Sequence, residues 1–252
     1  MIADLSGIDS DEAVFPRKDG LSFTEDAGFF RHQVFGLQDG GTVWRYVRKR
    51  SEKEYLSYTI SPQWDQIVLL ADHTQSAGAL AFEYLGRIMP GFFLKHGILT
   101  FHGVLMEYKG QGFIISAPSG TGKTTHARLW RDHQDALIID GDRAACCEKN
   151  GVWTGFGIPW SGTSGEQINR SVPLKALVVL ERGSENEAHR IMNLEAFGAL
   201  LPHLQYPRWD REMADKAVSG LEQILHDLPI IHLSCRPDPG SVEVLKDVLE
   251  KI

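Results

Sequence analysis

The sequence predicts an α/β fold in which a mixed sheet with antiparallel members follows a small β-rich region, and three observations predict it. Residues 42–71, TVWRYVRKRSEKEYLSYTISPQWDQIVLLA, alternate aromatic and β-branched residues with charged ones, as short strands with one wet face do. Two apolar runs, 98–108 and 113–116, are separated only by Lys109, Gly110, Gln111 and Gly112, a gap short enough for a hairpin between antiparallel neighbours. The second run then passes through a glycine-rich turn into the helical stretch TTHARLWRDH, the strand, loop and helix succession of an α/β unit.

The elements follow in order. The first twenty residues are polar and read as loose. Residues 1–74 form the expected β-rich region, and 75–252 the larger α/β domain. Between 76 and 89, Ala79, Phe82, Leu85, Gly86 and Met89 recur at helical spacing, and Pro90 and Gly91 are expected to stop that helix. With the hairpin turn centred between Gly110 and Gln111, paired residues sum to 221, and His102 falls opposite Ser119. The segments ALIIDGD, GVWTGFGIPW and VPLKALVVLE read as further strands. The final third alternates helix, strand and helix, with PIIHLS as the last strand and the last helix after Pro239.

Composition narrows the function classes. The chain has 252 residues, 42% of them hydrophobic, enough for one large core or a core with a small accessory domain, so global disorder is excluded. A formal charge of -7 gives no basic field, and nucleic acid is not an expected partner. Of three cysteines, Cys146 and Cys147 are adjacent, which fits neither a disulfide framework nor a zinc site; they read as core thiols in a reducing cytosol. The acidic N-terminus has no apolar core of a signal peptide, and no apolar stretch approaches the length that crosses a bilayer. A soluble, cytoplasmic protein without a membrane partner is the expectation; a homo-oligomer is left open.

The chemistry concentrates in APSGTGKTT, residues 117–125. Phosphate groups need backbone N–H donors converging at a helix N-terminus, and Gly120 and Gly122 let the backbone wrap that closely. Ser119, Gly120, Thr121, Gly122, Lys123, Thr124 and Thr125 are therefore the expected nucleotide-binding residues. Lys123 would reach the β- and γ-phosphates of a nucleoside triphosphate, and the Thr124 hydroxyl would ligate Mg²⁺. Ala117 stands where the full pattern has glycine, at a position that serves the turn and contacts no phosphate.

A metal held by such a loop needs an acid at the end of a nearby strand, and IIDGD supplies Asp140 and Asp142. The plainer alternative is an Asp-Gly turn capping a strand. His102 is either a core side chain of an apolar strand or an imidazole at the mouth of the loop. The segment 155–165, GFGIPWSGTSG, is a flexible loop beside the site or a surface connection. Arg143, Arg170, Lys175 and Arg182 are candidates for stabilising phosphoryl charge, while His203 and His232 read as structural.

The run HGVLMEYKGQGFIISAPSGTGKTTHARLW resembles the core of HPr kinase/phosphorylase, where a His-Gly strand, a glycine turn and a second strand lead into a Ser-Gly-x-Gly-Lys-Ser/Thr loop. SGTGKTT is also similar to the kinase loop of ATP-dependent phosphoenolpyruvate carboxykinase, which shares that fold. GFGIPWSGTSGEQINRSVPLKALVVLERG resembles smaller HPr-kinase-like proteins, some of them found beside peptide-modifying gene clusters, where PWSG and VPL recur. The likeness spans about 98–235.

It implies a mixed-sheet P-loop fold of that type and Mg²⁺-dependent transfer of the γ-phosphate of ATP to a hydroxyl on a peptide, protein or small molecule. The family's loop falls on 119–125, its strand histidine on His102 and its paired aspartates on Gly141 and Asp142. The second, associated with Mg²⁺, is present. The first, which the family uses as acid/base on the acceptor, is Gly here; Asp140 or His102 would take the proton instead. No phosphocarrier-specific signature accompanies the loop. Two rivals remain: carboxykinase-like chemistry on a small carboxylic acid, and a non-catalytic nucleotide sensor.

Overall fold

The computed structural model describes residues 19–252 apart from 28, 51–53, 72–74 and 163, so the expectation for the first twenty residues falls almost wholly outside the described residues. The chain divides into two compact units, Met1–Phe92 and Phe93–Ile252.

The first unit holds a five-stranded antiparallel meander of β1 (Asp19–Ala27), β2 (Phe30–Gly36), β3 (Thr42–Arg48), β4 (Glu54–Ile60) and β5 (Ile67–Ala71). Its alternation buries one face: Val34, Trp44, Tyr46, Leu56, Tyr58 and Ile60 are almost wholly enclosed. Helix α1 runs Gln75–Lys95, past the expected stop, with Pro90 inside it. Burial of Met89, Phe92 and Leu94 outweighs the missing proline N–H and carries the helix on for another turn.

The second unit is α/β with a mixed eight-stranded sheet. Its strands are β6 (Leu99–Tyr108), β7 (Gln111–Ser116), β8 (Leu137–Asp140), β9 (Arg143–Lys149), β10 (Val152–Phe156), β11 (Ser171–Arg182), β12 (Glu187–Ile191) and β13 (Ile230–Cys235). The helices are α2 (Lys123–Gln134), α3 (Asn193–Leu200), α4 (Arg211–Asp227) and α5 (Pro239–Lys251), with a 3₁₀ turn at Leu201–His203. The strand order is β10-β9-β6-β7-β11-β13-β12; β8 also pairs with β6, and β10 with β11. Strands β6, β7, β11, β10 and β9 thus form a closed ring of pairings. Only β7–β11 and β11–β13 are parallel. The buried Trp130 of α2 and Val242, Leu245 and Leu249 of α5 share one core with Val104, Phe113, Ile115, Val178 and Leu233 of the sheet.

Two strands carry no clear sequence signal. RAACCEK has no period-2 alternation because β9 is buried along most of its length, and EAHRI in β12 is too polar and short to stand out. The β6–β7 hairpin exists, with a two-residue turn in place of the expected four. Lys109 (φ 51°) and Gly110 (φ 76°) both take positive φ, the pattern of a type I′ turn, so Gln111 and Gly112 join the strand. Gly103 pairs with Ser116. Paired residues therefore sum to 219, two fewer than expected, and extrapolation places His102 opposite Ala117 instead of Ser119. A slip of two keeps every side chain on its face, so the side chosen for His102 is unaffected.

Candidate active site

The site grows from the end of β7. Ser116 donates its hydroxyl hydrogen to the His102 carbonyl at 2.9 Å, and the chain then leaves the sheet through residues 117–122 to enter α2. Gly120 (φ 77°) and Gly122 (φ 121°) meet no neighbouring atom where a Cβ would stand. Their requirement for glycine is conformational. Among the described residues no side chain caps the N-terminus of α2, which leaves the amides of its first turn directed at the loop mouth.

Two cations brace this loop at different carbonyls. Lys123 is 8% exposed, and its ammonium donates to Ala117 O at 2.7 Å and Pro118 O at 3.2 Å. Arg182, at the end of β11, donates through Nε to Thr121 O at 3.0 Å and through Nη2 to Gly120 O. C=O and N–H of one trans peptide point opposite ways. With the Thr121 carbonyl turned out to Arg182, the Gly122 amide faces the other side of the loop. A cleft of about 360 Å³ lies along Pro118–Thr121 and the end of β11, and another of about 430 Å³ beside Thr125 and His126.

His102 stands next to this lysine, its Nε2 3.1 Å from Lys123 Nζ. An ammonium only donates, so Nε2 is the acceptor and the ring is neutral, with its proton on Nδ1, 3.5 Å from Asp142 Oδ1. Burial and the adjacent lysine hold His102 below the ordinary imidazole range, Asp142 opposing them. Burial likewise lowers Lys123, and Asp142 again opposes it. Asp142 also faces Arg143, 3.6 Å from its Nε.

The β8–β9 turn delivers Asp142. Asp140 Oδ1 accepts from the amides of Asp142 (3.1 Å) and Arg143 (2.9 Å), and Oδ2 from Ile158 N at 3.1 Å. The residue is 0% exposed, and burial pushes its carboxyl up to about 6 against those three hydrogen bonds. Asp140 therefore sits behind the site, where it pins the turn, and the expectation that it meets an acceptor hydroxyl does not suit its place. Asparagine at 140 would turn an NH₂ donor on one of these amides. Asp140→Asn is expected to cost about 2 kcal/mol of stability, read as a shifted urea midpoint; an unshifted midpoint would show that the carboxylate does not hold the turn.

The segment that follows β10 lies over this turn, apart from Thr163, which is outside the described residues. Gly141 N donates to Glu166 O at 2.9 Å, and a Cβ on Gly141 would come within 2.1 Å of Ser164 Oγ. No side chain fits at 141, which accounts for glycine where the resemblance puts an aspartate. Arg131 of α2 fastens the same segment through Glu166 at 2.7 Å.

Of the other basic candidates, Arg182 comes to the loop and Arg143 to Asp142. Arg170 is paired with Glu107 at 2.7 Å, and Lys175 lies with Lys109 and Glu250 at the hairpin end of β6. His232 bonds Glu181 at 3.0 Å. His203, read as structural, is drawn into the cluster: burial, then Lys123, then His102 bring its imidazole down to about 4. Nothing in the sequence marks it, since Lys123 and His102 are 80 and 101 positions away and only the docking of the 3₁₀ turn on β6 joins them.

The family model described as SynChlorMet cassette protein ScmC matches residues 87–221, more than half of the chain, from within α1 into α4. The chain belongs to the ScmC family. Among solved structures it is similar to the Hpr(Ser) kinase/phosphatase from Coxiella burnetii, at 11% identity and a TM-score of 0.37, over 60% of this chain and 91% of that one. No curated protein matches. Among the described residues no helix is long and apolar enough to cross a membrane.

Proposed function

We propose that this ScmC-family chain is an ATP-dependent phosphotransferase, a P-loop kinase that passes the γ-phosphate of ATP to a hydroxyl of a peptide, protein or small molecule. One observation carries the reading: Lys123, His102 and Asp142 converge at the mouth of a glycine-rich loop that opens a helix with no side-chain cap. The amides of that first turn and the Lys123 ammonium offer fixed positive charge to the transferring group, which is what phosphoryl transfer demands of a protein. Ser119 to Thr125 supply the cradle. His102 holds the lysine in place by accepting from it.

The Thr124 hydroxyl and the Asp142 carboxylate are hard oxygen donors, and two such ligands suit Mg²⁺, which takes its remaining positions from water and phosphate. When bound, it would neutralise charge on the phosphate oxygens. Asp142→Asn is expected to abolish Mg²⁺ dependence of ADP formation with the fold unchanged. If turnover of that variant still follows Mg²⁺ normally, the ion is held elsewhere.

Gly141 favours one second reading, a nucleotide sensor without chemistry, because the acid expected there on resemblance is missing. Incubation with Mg²⁺ and ATP separates the two: ADP appears in time if the chain is a phosphotransferase, and ATP is released unchanged if it is a sensor.

A further inference from the structure

Transfer to a hydroxyl requires something to take its proton, and the two residues expected to do so are committed elsewhere. Both oxygens of the wholly buried Asp140 accept backbone amides. The His102 lone pair accepts from Lys123, and its other nitrogen faces Asp142.

A third group comes from outside the sheet. β7 pairs with β6 from Gly103 onward, so where β7 leaves for the loop, the neighbouring slot along β6 is open to another segment. Residues 204–205 take it: Leu204 bridges Phe101 in antiparallel sense, and Gln205 N donates to Thr100 O at 2.8 Å. The other edge of this part of β6 is already filled by β9, where His102 pairs with Arg143. His203 closes the 3₁₀ turn immediately before this bridge, so the turn docks beside the stretch of β6 that carries His102. The His203 imidazole feels both Lys123 and His102, is half-buried, and makes no hydrogen bond among the described residues.

We propose that His203 is the proton acceptor of the phosphotransferase, a catalytic residue supplied by the 3₁₀ turn on the acceptor side of the loop. The proposal rests on the phosphotransferase reading above. In the step, the acceptor oxygen forms a bond to the γ-phosphorus, and the bond from that phosphorus to the β–γ bridging oxygen breaks. The bridging oxygen leaves on ADP with the electron pair, and the hydroxyl proton passes to the unprotonated ring nitrogen of His203, which later returns it to solvent. A neutral imidazole is ready for this role; burial first and the Lys123 ammonium second depress its basicity, and phosphate charge beside Lys123 offsets the second of these.

The test uses the full chain with Mg²⁺ and ATP and water as the acceptor, following ADP release. His203→Ala is expected to slow release by about 100-fold or more, the usual worth of a general base. ATP affinity should stay within about threefold by calorimetry. Added imidazole should restore part of the rate, which it would not do for a residue that only supports the fold. His203→Asn, closer in shape, should be as slow and unrescued by its own amide. Normal release by His203→Ala overturns the proposal alone and leaves the phosphotransferase reading standing. A loss that imidazole does not restore, or that follows ATP affinity, assigns His203 a structural role and also overturns it. Absence of ADP from the unaltered chain, despite Lys123-dependent ATP binding, removes the phosphotransferase reading and this proposal with it.

Discussion

Lys123→Ala is expected to lower the affinity for a non-hydrolysable ATP analogue by about 100-fold or more, which is about 2.7 kcal/mol. The ammonium is enclosed at 8% exposure and held by two loop carbonyls and His102 at 2.7 to 3.2 Å, so its charge is fixed at the loop mouth before any phosphate arrives. A preorganised charge in a site poor in water is worth more than the same charge on a mobile surface lysine. The apolar core beneath the loop is made by Ala117, Ala127 and Trp130, which the substitution does not touch. Thermal unfolding should therefore shift far less than binding. Calorimetry checks the first part and a melting curve the second; unchanged affinity with an intact fold would sink the phosphate-loop assignment.

Gly141→Ala is expected to destabilise the chain by about 2 kcal/mol, the range for overpacking a filled position. The added Cβ would stand 2.1 Å from Ser164 Oγ and 2.7 Å from Ser164 Cβ, and Gly141 N is tied to Glu166 O, so the turn cannot simply move away. Removing the obstacle should reverse the effect. Gly141→Ala combined with Ser164→Gly is expected to recover most of the lost stability, with the two urea midpoints compared in a double-mutant cycle. If the single substitution is neutral, the segment over the turn does not pack as described. The same contact bears on chemistry, because Gly141→Asp would restore an acid at the place the resemblance gives it only together with the Ser164 change.

The sequence made the hairpin and loop legible because both are short-range. Strand periodicity, a glycine turn and a strand-loop-helix junction are written within the 27 residues 98–124, and the structure differs there only by two residues of register. That shift came from Lys109, which accepts a positive φ that residue type alone does not announce. The continuation of α1 past Pro90 was hidden for a related reason: local breaker chemistry was read, while the burial of Phe92 and Leu94 that overrules it is a property of the packed core.

Other assignments depended on pairs far apart in the chain. Asp140 and Asp142 look alike in IIDGD, and only folding separates them, enclosing one under Ile158 N and presenting the other to His102. Arg143, Arg170, Lys175 and Arg182 are equivalent as a list of cations. The topology sends Arg182 to the loop carbonyls and leaves Arg170 on Glu107.

By itself, the sequence determined the loop of residues 117–125, the lysine and hydroxyl within it, and the strand histidine nearby, because the backbone shape and donor types that phosphate needs are carried by consecutive residues. Tertiary structure alone decided that Gly141 has no room for an acid, that Arg182 braces the loop from outside and that the turn ending in His203 docks beside the stretch of β6 that carries His102. Those three relations join residues 23 to 101 positions apart. Their distances are set by strand order and by which segment fills the slot β7 leaves along β6, and neither is encoded in any one stretch of chain.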